Sequence, residues 1–161
     1  LKHVSSRSGH TTNLVKTHLG KNYGLFVQGG RKGDDYQVIG SWNTKPKGGA
    51  LLGNDKISDI ISKWVQCDKP SGRQHCVSVE LSDRYLLFFG GETWSGVRDN
   101  VTNETYLLDC SKMRWYKPKG VTERAVPCLT GHTMGMVGDI VYVFGGLLDG
   151  SCTDGMWMVN F

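Results

Sequence analysis

Arg84-Tyr85-Leu86-Leu87-Phe88-Phe89-Gly90-Gly91 is a run of aromatic and branched apolar residues closed by a glycine doublet. The same pattern occurs twice more, as Tyr23-Gly24-Leu25-Phe26-Val27-Gln28-Gly29-Gly30 and as Asp139-Ile140-Val141-Tyr142-Val143-Phe144-Gly145-Gly146. Each run is too short for a stable helix and rich in residues that fit a pleated surface. Its apolar residues are consecutive rather than alternating, which predicts a strand covered on both faces. The doublets begin at positions 29, 90 and 145, so the chain repeats itself at spacings of 61 and 55 residues.

Other pieces keep step with the doublets. Upstream lie Arg7-Ser8-Gly9-His10-Thr11-Thr12, Arg73-Gln74-His75-Cys76-Val77-Ser78 and Gly131-His132-Thr133-Met134. Downstream, Tyr106-Leu107-Leu108-Asp109 precedes Trp115, and Ile57-Ser58-Asp59, read as a strand, precedes Trp64. The third copy is Met156-Trp157-Met158-Val159-Asn160. Each unit reads as four short antiparallel strands, placed in the second unit at about 76–81, 84–90, 104–109 and 113–117. Four strands per period is the signature of a propeller blade.

An Arg-x-Gly-His entry, an apolar strand ending in Gly-Gly, and later Tyr and Trp at set offsets resemble the kelch repeat over nearly the whole chain. The expectation is an all-β fold, a β-propeller of four-stranded antiparallel kelch blades, with three blades in this chain. Their bounds are an outer strand at 1–5, a blade at 6–69, a blade at 70–120 and an incomplete blade at 121–161. Departures from the repeat are a long insertion after Gly30, Cys76 in the place of His10, and Leu129 where Arg is expected. Three blades fall short of the roughly four to eight that close a ring. Further blades or a second copy are therefore expected to complete it.

Composition excludes several classes. Of 161 residues, 22 are Gly and only 4 Pro, alongside 39% apolar residues. That suits short strands with tight turns rather than a disordered linker. The net charge of +4 is dispersed and forms no basic stripe, which argues against nucleic acid and allows at most a preference for acidic peptides. No apolar run approaches the roughly 20 residues that cross a membrane as a helix. The five cysteines, Cys67, Cys76, Cys110, Cys128 and Cys152, contain no Cys-x-x-Cys pair. Their odd number favours reduced thiols and a cytoplasmic or nuclear location over an extracellular one. Adjacent glycosylation sequons at Asn100 and Asn103 point the other way, and leave an extracellular adhesion module as an alternative.

Hydrolase elbows, Walker loops, dinucleotide fingerprints and His-Glu-x-x-His are missing from the sequence, and the five histidines lack metal-ligand spacing. The expectation is a non-enzyme without metal or cofactor. His10 and His132 occupy equivalent slots and are expected to satisfy backbone groups within their blades. The tryptophans at 64, 115 and 157, with Tyr106, are expected to be framework.

Function is expected where the repeats differ, in the loops after each doublet at 31–54, 92–103 and 147–154. There Arg31, Lys32, Trp42, Trp94 and Arg98 combine cations with planar aromatics, the side-chain types enriched at interface hot spots. The kelch resemblance adds Arg7 and Arg73, which in such propellers line the ligand face; bracing of neighbouring blades is the other role open to them. It implies a protein-interaction module that takes a peptide or protein, of the kind found in ubiquitin-ligase substrate adaptors and cytoskeletal binders. The non-catalytic propeller portion of a larger oxidase or phosphatase is the alternative.

Overall fold

In the computed structural model the described residues are 10–16, 23–29, 36–42, 52–94, 99–119 and 126–160. In chain order they form β1 (His10–Lys16), β2 (Tyr23–Gly29), β3 (Tyr36–Trp42), α1 (Asn54–Ser62), β4 (Trp64–Cys67) and β5 (Arg73–Gln74). There follow β6 (Val77–Glu80), β7 (Tyr85–Phe89), β8 (Glu92–Trp94), β9 (Asp99–Val101), β10 (Thr105–Asp109) and β11 (Arg114–Pro118). The last five are β12 (Thr133–Val137), β13 (Ile140–Phe144), β14 (Leu147–Leu148), β15 (Ser151–Cys152) and β16 (Met156–Asn160).

Three antiparallel sheets correspond to the three units: β1-β2-β3, then β4-β11-β10-β7-β6, then β12-β13-β16. The first strand of the middle sheet, β6, neighbours the first strands of the other two, β1 and β12. One link is a hydrogen bond between the Thr11 and Ser78 hydroxyls at 2.7 Å. First strands side by side, with the rest of each sheet spreading outward, give blades fanned about a common axis. This is part of a β-propeller, built as the repeat implied.

The glycine doublets occupy equivalent turns. Gly90 and Gly91 have φ of 67° and 88°, and Gly145 and Gly146 have 67° and 93°, values that L side chains rarely adopt. In both units the first glycine's N–H donates across the blade, Gly90 to Glu104 and Gly145 to Gly155, at 3.1 and 2.9 Å. The second glycine's carbonyl accepts from Thr102 or Thr153, at 3.0 Å in each case. Of the first doublet, Gly29 ends β2 and Gly30 lies outside the described residues.

Burial is decided by neighbours on either side. All five residues of β7 are buried. On one face Leu86 and Phe88 meet Cys76, Leu108, Cys110 and Trp115; on the other, Leu87 packs with Leu81, Leu107 and Val141. Phe88 and Trp115 lie 5.2 Å apart between ring centroids. Trp64 and Trp115 are buried framework, and Trp157 packs half-buried beside Val143.

Four expectations need correction. The segment before Trp64 is a helix, α1, where a strand through 57–59 was expected. Ile57, Ile60 and Ile61 recur at helical spacing, and Ile57 and Ile60 are buried against the middle blade. Asp55 in the first turn suits the helix dipole. Second, β4, counted by sequence with the first unit, pairs with β11 and adds a fifth strand to the middle sheet. Third, β13 alternates in burial rather than being covered on both faces. Fourth, His132 is buried but neither of its ring nitrogens has a hydrogen-bond partner, and His10 is exposed. The ring lies edge-on to Phe89 of the middle blade, in the seam between blades rather than within its own.

Candidate functional site

The doublets direct the chain to one end of the blades. Beyond the second and third doublets it turns into a short hairpin at that end: β8–β9 after Gly91, and β14–β15 after Gly146. The stretches expected as loops, 92–103 and 147–154, are therefore paired hairpins. The first is extended by β5 into a three-stranded sheet, with Arg73 opposite Thr93 and Gln74 opposite Glu92. In the last blade a single bridge, Thr130 opposite Leu147, takes the place of β5.

At the junction of the two hairpins sits a carboxylate. The Thr130 hydroxyl donates to Glu92 Oε1 at 2.6 Å, and Gln74 Nε2 donates to Oε2 at 3.1 Å. His75 Nδ1 lies 3.6 Å from Oε1. Burial pushes the Glu92 carboxyl upward, but the Thr130 and Gln74 hydrogen bonds and the nearby His75 outweigh it and hold the group below its usual range. Glu92 stays ionised and ties the middle blade to the entry of the last. Two backbone bonds run alongside: Gly91 N–H to the Leu129 carbonyl at 2.9 Å, and Gly131 N–H to the His75 carbonyl at 3.4 Å.

His75 is the unusual member. Its φ is 54°, a left-handed conformation that costs a non-glycine residue roughly 1–2 kcal/mol. The matching slots of the other units hold Gly9 and Gly131, and Gly131 has φ of 66°. The His75 side chain is 44% exposed. A strained, exposed imidazole in a glycine slot is unexplained by packing, and strain of this kind gathers at functional positions. Sequence reasoning passed it over; the signal was a histidine standing where the entry motif has glycine.

Arg73 is placed inside the blade. Its side chain is 4% exposed, and its Nη2 donates to Glu104 Oε2 at 3.0 Å. Nε donates to the Ser71 carbonyl, Nη1 reaches the Gly90 carbonyl at 3.4 Å, and the guanidinium lies 5.0 Å from the Tyr106 ring centroid. All of these partners belong to the same unit. Arg73 therefore braces the Gly90 turn, and its donors are spent there rather than on the surface.

Trp94 and Trp42 are not brought together. Trp94 ends β8 opposite Asp99, at the tip of the first hairpin, on the doublet side. Trp42 ends β3 opposite Tyr23, while Gly29 lies at the other end of β2. Six strand steps of about 3.3 Å separate the two ends by roughly 20 Å. Trp42 thus belongs to a strand, not to the loop expected there, because Tyr36–Trp42 is a third strand of the first sheet. Arg7, Arg31, Lys32 and Arg98 lie outside the described residues.

The thiols offer little chemistry. Burial pushes the Cys76 thiol up to about 11 and raises that of Cys110 further, so neither supplies a thiolate near neutral pH. Among the described residues no three His, Cys, Asp or Glu side chains are grouped as metal ligands. No helix among them is long and apolar enough to cross a membrane. At the doublet end the described residues bring together His75 and Glu92, beside the β8–β9 hairpin.

Residues 59–161 match the family model described as the KLHDC2/KLHL20/DRC7 Kelch-repeats domain. Kelch domain-containing protein 9 of Mus musculus is 29% identical over 157 residues, and that of Homo sapiens 28% over 162. Each match takes in 89% of this chain, but the chain spans only 43% of those relatives. A solved structure, that of YjhT, superposes with a TM-score of 0.48 at 15% identity, covering 88% of this chain and 35% of the other. With the doublet turns, the entry motif and the matched 59–161 together, this chain belongs to the kelch-repeat family.

Proposed function

We propose that this chain is a protein-interaction module that takes a peptide or protein partner on the doublet end of its blades. The observation that carries the reading is His75, exposed and strained in a glycine slot beside Glu92, next to the hairpin that ends in Trp94. An imidazole and an ionised carboxylate supply directed hydrogen bonds, and an aromatic tip supplies contact area at small entropic cost. Arg31, Lys32 and Arg98 follow the same doublets and are assigned to the same surface, with Arg7 at the first entry; Arg73 is assigned to the scaffold. The role we assign is that of a ubiquitin-ligase substrate adaptor or a cytoskeletal binder, in the cytoplasm or nucleus, with no catalytic step on this chain. The five unpaired cysteines support that location.

The test is a binding titration against partners recovered on the intact chain. The triple variant Arg31→Ala, Trp94→Ala, Arg98→Ala is expected to lose about tenfold or more in affinity, as removal of hot-spot side chains does. Asp139→Ala, at the opposite end of the last blade, is expected to leave it unchanged. Equal affinities for the triple variant and the intact chain would remove the doublet end as the binding surface.

A further inference from the structure

The small sheet β5-β8-β9 sets Gln74, Glu92 and Val101 opposite one another in a single row. Residues directly opposite in an antiparallel pair share a face, and the Gln74 amide reaches Glu92 at 3.1 Å accordingly. The row runs from a polar end to an apolar one. His75 follows Gln74, the carboxylate lies in the middle, and Val101, 40% exposed, stands on the far side.

The carboxylate decides how His75 presents itself. In a neutral imidazole one ring nitrogen donates and the other accepts, and the neighbour of one fixes the state of the other. Nδ1 lies 3.6 Å from Glu92 Oε1. An ionised carboxylate repels a lone pair turned toward it and attracts an N–H, so Nδ1 carries the proton. Nε2 is then the acceptor, on a side chain that is 44% exposed. Among the described residues the negative charge here is uncompensated. Glu92 takes its two close hydrogen bonds from neutral groups, the Thr130 hydroxyl and the Gln74 amide, and Arg73 is paired with Glu104. An acceptor nitrogen, a negative charge and an adjoining apolar side chain fit a cationic donor carried on an aliphatic stem.

We infer that this row receives a lysine or arginine side chain of the partner protein, its stem along Val101 and its cationic N–H donating to His75 Nε2. Glu92 is the positioning residue, holding the imidazole in that tautomer and supplying the opposite charge. The inference rests on the doublet end being the partner surface and adds the chemistry of the group taken there. It gives the strained histidine a task that glycine at the same φ cannot perform.

Two measurements test it, both on the full polypeptide of its source with isotope-labelled histidine ring nitrogens. The first reads the tautomer from proton–nitrogen correlations at about pH 8.5, where an ordinary imidazole is neutral; the His75 signals are those lost in His75→Gly. A proton on Nδ1 is expected, and a proton on Nε2 overturns the inference. The second titrates capped pentapeptides of glycine with lysine, arginine, norleucine or glutamate at the centre and follows Nε2 of His75. The lysine and arginine peptides should act at concentrations about fivefold or more below the norleucine peptide, the scale of an exposed charge pair, since norleucine keeps the stem and lacks the charge. In Glu92→Gln, which keeps the shape and removes the charge, that advantage should vanish. Equal responses to lysine, arginine and norleucine overturn the inference, as does no response to any peptide, a preference for glutamate, or an advantage that persists in Glu92→Gln. Failure of the partner surface itself looks different: recovered partners then bind the triple variant and the intact chain alike, whatever the tautomer and the peptides do.

Discussion

The entries to the last two blades, Arg73-Gln74-His75-Cys76 and Leu129-Thr130-Gly131-His132, follow the same backbone path with different chemistry. Arg73 is buried through ionic and aromatic contacts with Glu104 and Tyr106; Leu129 is buried in an apolar cluster with Phe89, Val126 and Val143. His75 holds at φ 54° what Gly131 holds at 66°. Cys76 fills a core slot, while His132 fills the corresponding one with two unpartnered nitrogens. The comparison teaches that the blade fixes backbone geometry and close approach, and tolerates several ways of filling the space. Positions demanded by geometry should be intolerant, and positions that depart from it without packing reason are the ones to suspect of function.

Glycine substitutions test the first half of that statement and carry the largest effect. A Cβ on Gly91 would lie 2.7 Å from Cys76 Cβ and from the Gln74 carbonyl, at φ +88°. Neither neighbour is a flexible chain end, so Gly91→Ala meets clash and backbone strain together. It is expected to cost about 3 kcal/mol or more, against about 1 kcal/mol for Gly131→Ala, whose Cβ would meet nothing. Urea midpoints at constant m measure both. Equal costs would show that the doublet turn is no tighter than the entry turn.

His132 against Cys76 comes next. Burial in the seam, edge-on to Phe89 at 5.3 Å, pushes the His132 imidazole down from its ordinary value to about 4. The folded state therefore binds fewer protons than the unfolded state between about pH 6.5 and 4, and stability falls as pH drops through that window. The loss at the acid end is up to about 3 kcal/mol. Below it the depressed carboxylates of Asp109 and Glu92 add their own acid dependence. His132→Cys, which installs the middle blade's residue, should flatten the slope between pH 6.5 and 4 whatever it does to stability at pH 7. An unchanged slope would mean that His132 is hydrated or partnered in solution.

Much of the fold was legible because the repeat states it three times. The strands at 77–80, 85–89, 105–109 and 114–118 fall within about a residue of their expected places, since Gly-Gly and the Trp fix their ends. The helix at 54–62 was missed because a single copy of Ile57-Ser58-Asp59 was read by analogy with Tyr106-Leu107-Leu108. Its own Ile57, Ile60 and Ile61 spacing was the better guide. The partnering of β4 with β11 was not legible, because pairing between units leaves no local trace. For the site, a residue type flags capacity and not placement. Arg73 has the right chemistry for a partner, yet Glu104 and Tyr106, more than thirty residues away in sequence, consume it. Trp42 ends a strand at the end of its sheet away from Gly29, a placement that its residue type does not announce.

The smallest effect is the most informative about function. His75→Gly relieves a left-handed histidine and installs what the last blade already has, so stability should rise by about 1 kcal/mol. Loss of the His75 contact to Glu92 offsets little of that gain, because the imidazole is 44% exposed and the Thr130 and Gln74 hydrogen bonds to the carboxylate remain. If the histidine is there for a partner, the same variant should bind that partner more weakly while melting at a higher temperature, a separation that a structural role does not produce. The reciprocal change, Gly131→His, should lose about the same stability and leave binding alone, since it adds strain without removing a contact. Should His75→Gly raise stability and leave affinity intact, the strain at this turn has no bearing on recognition, and the contacts must be sought further along the hairpin toward Trp94.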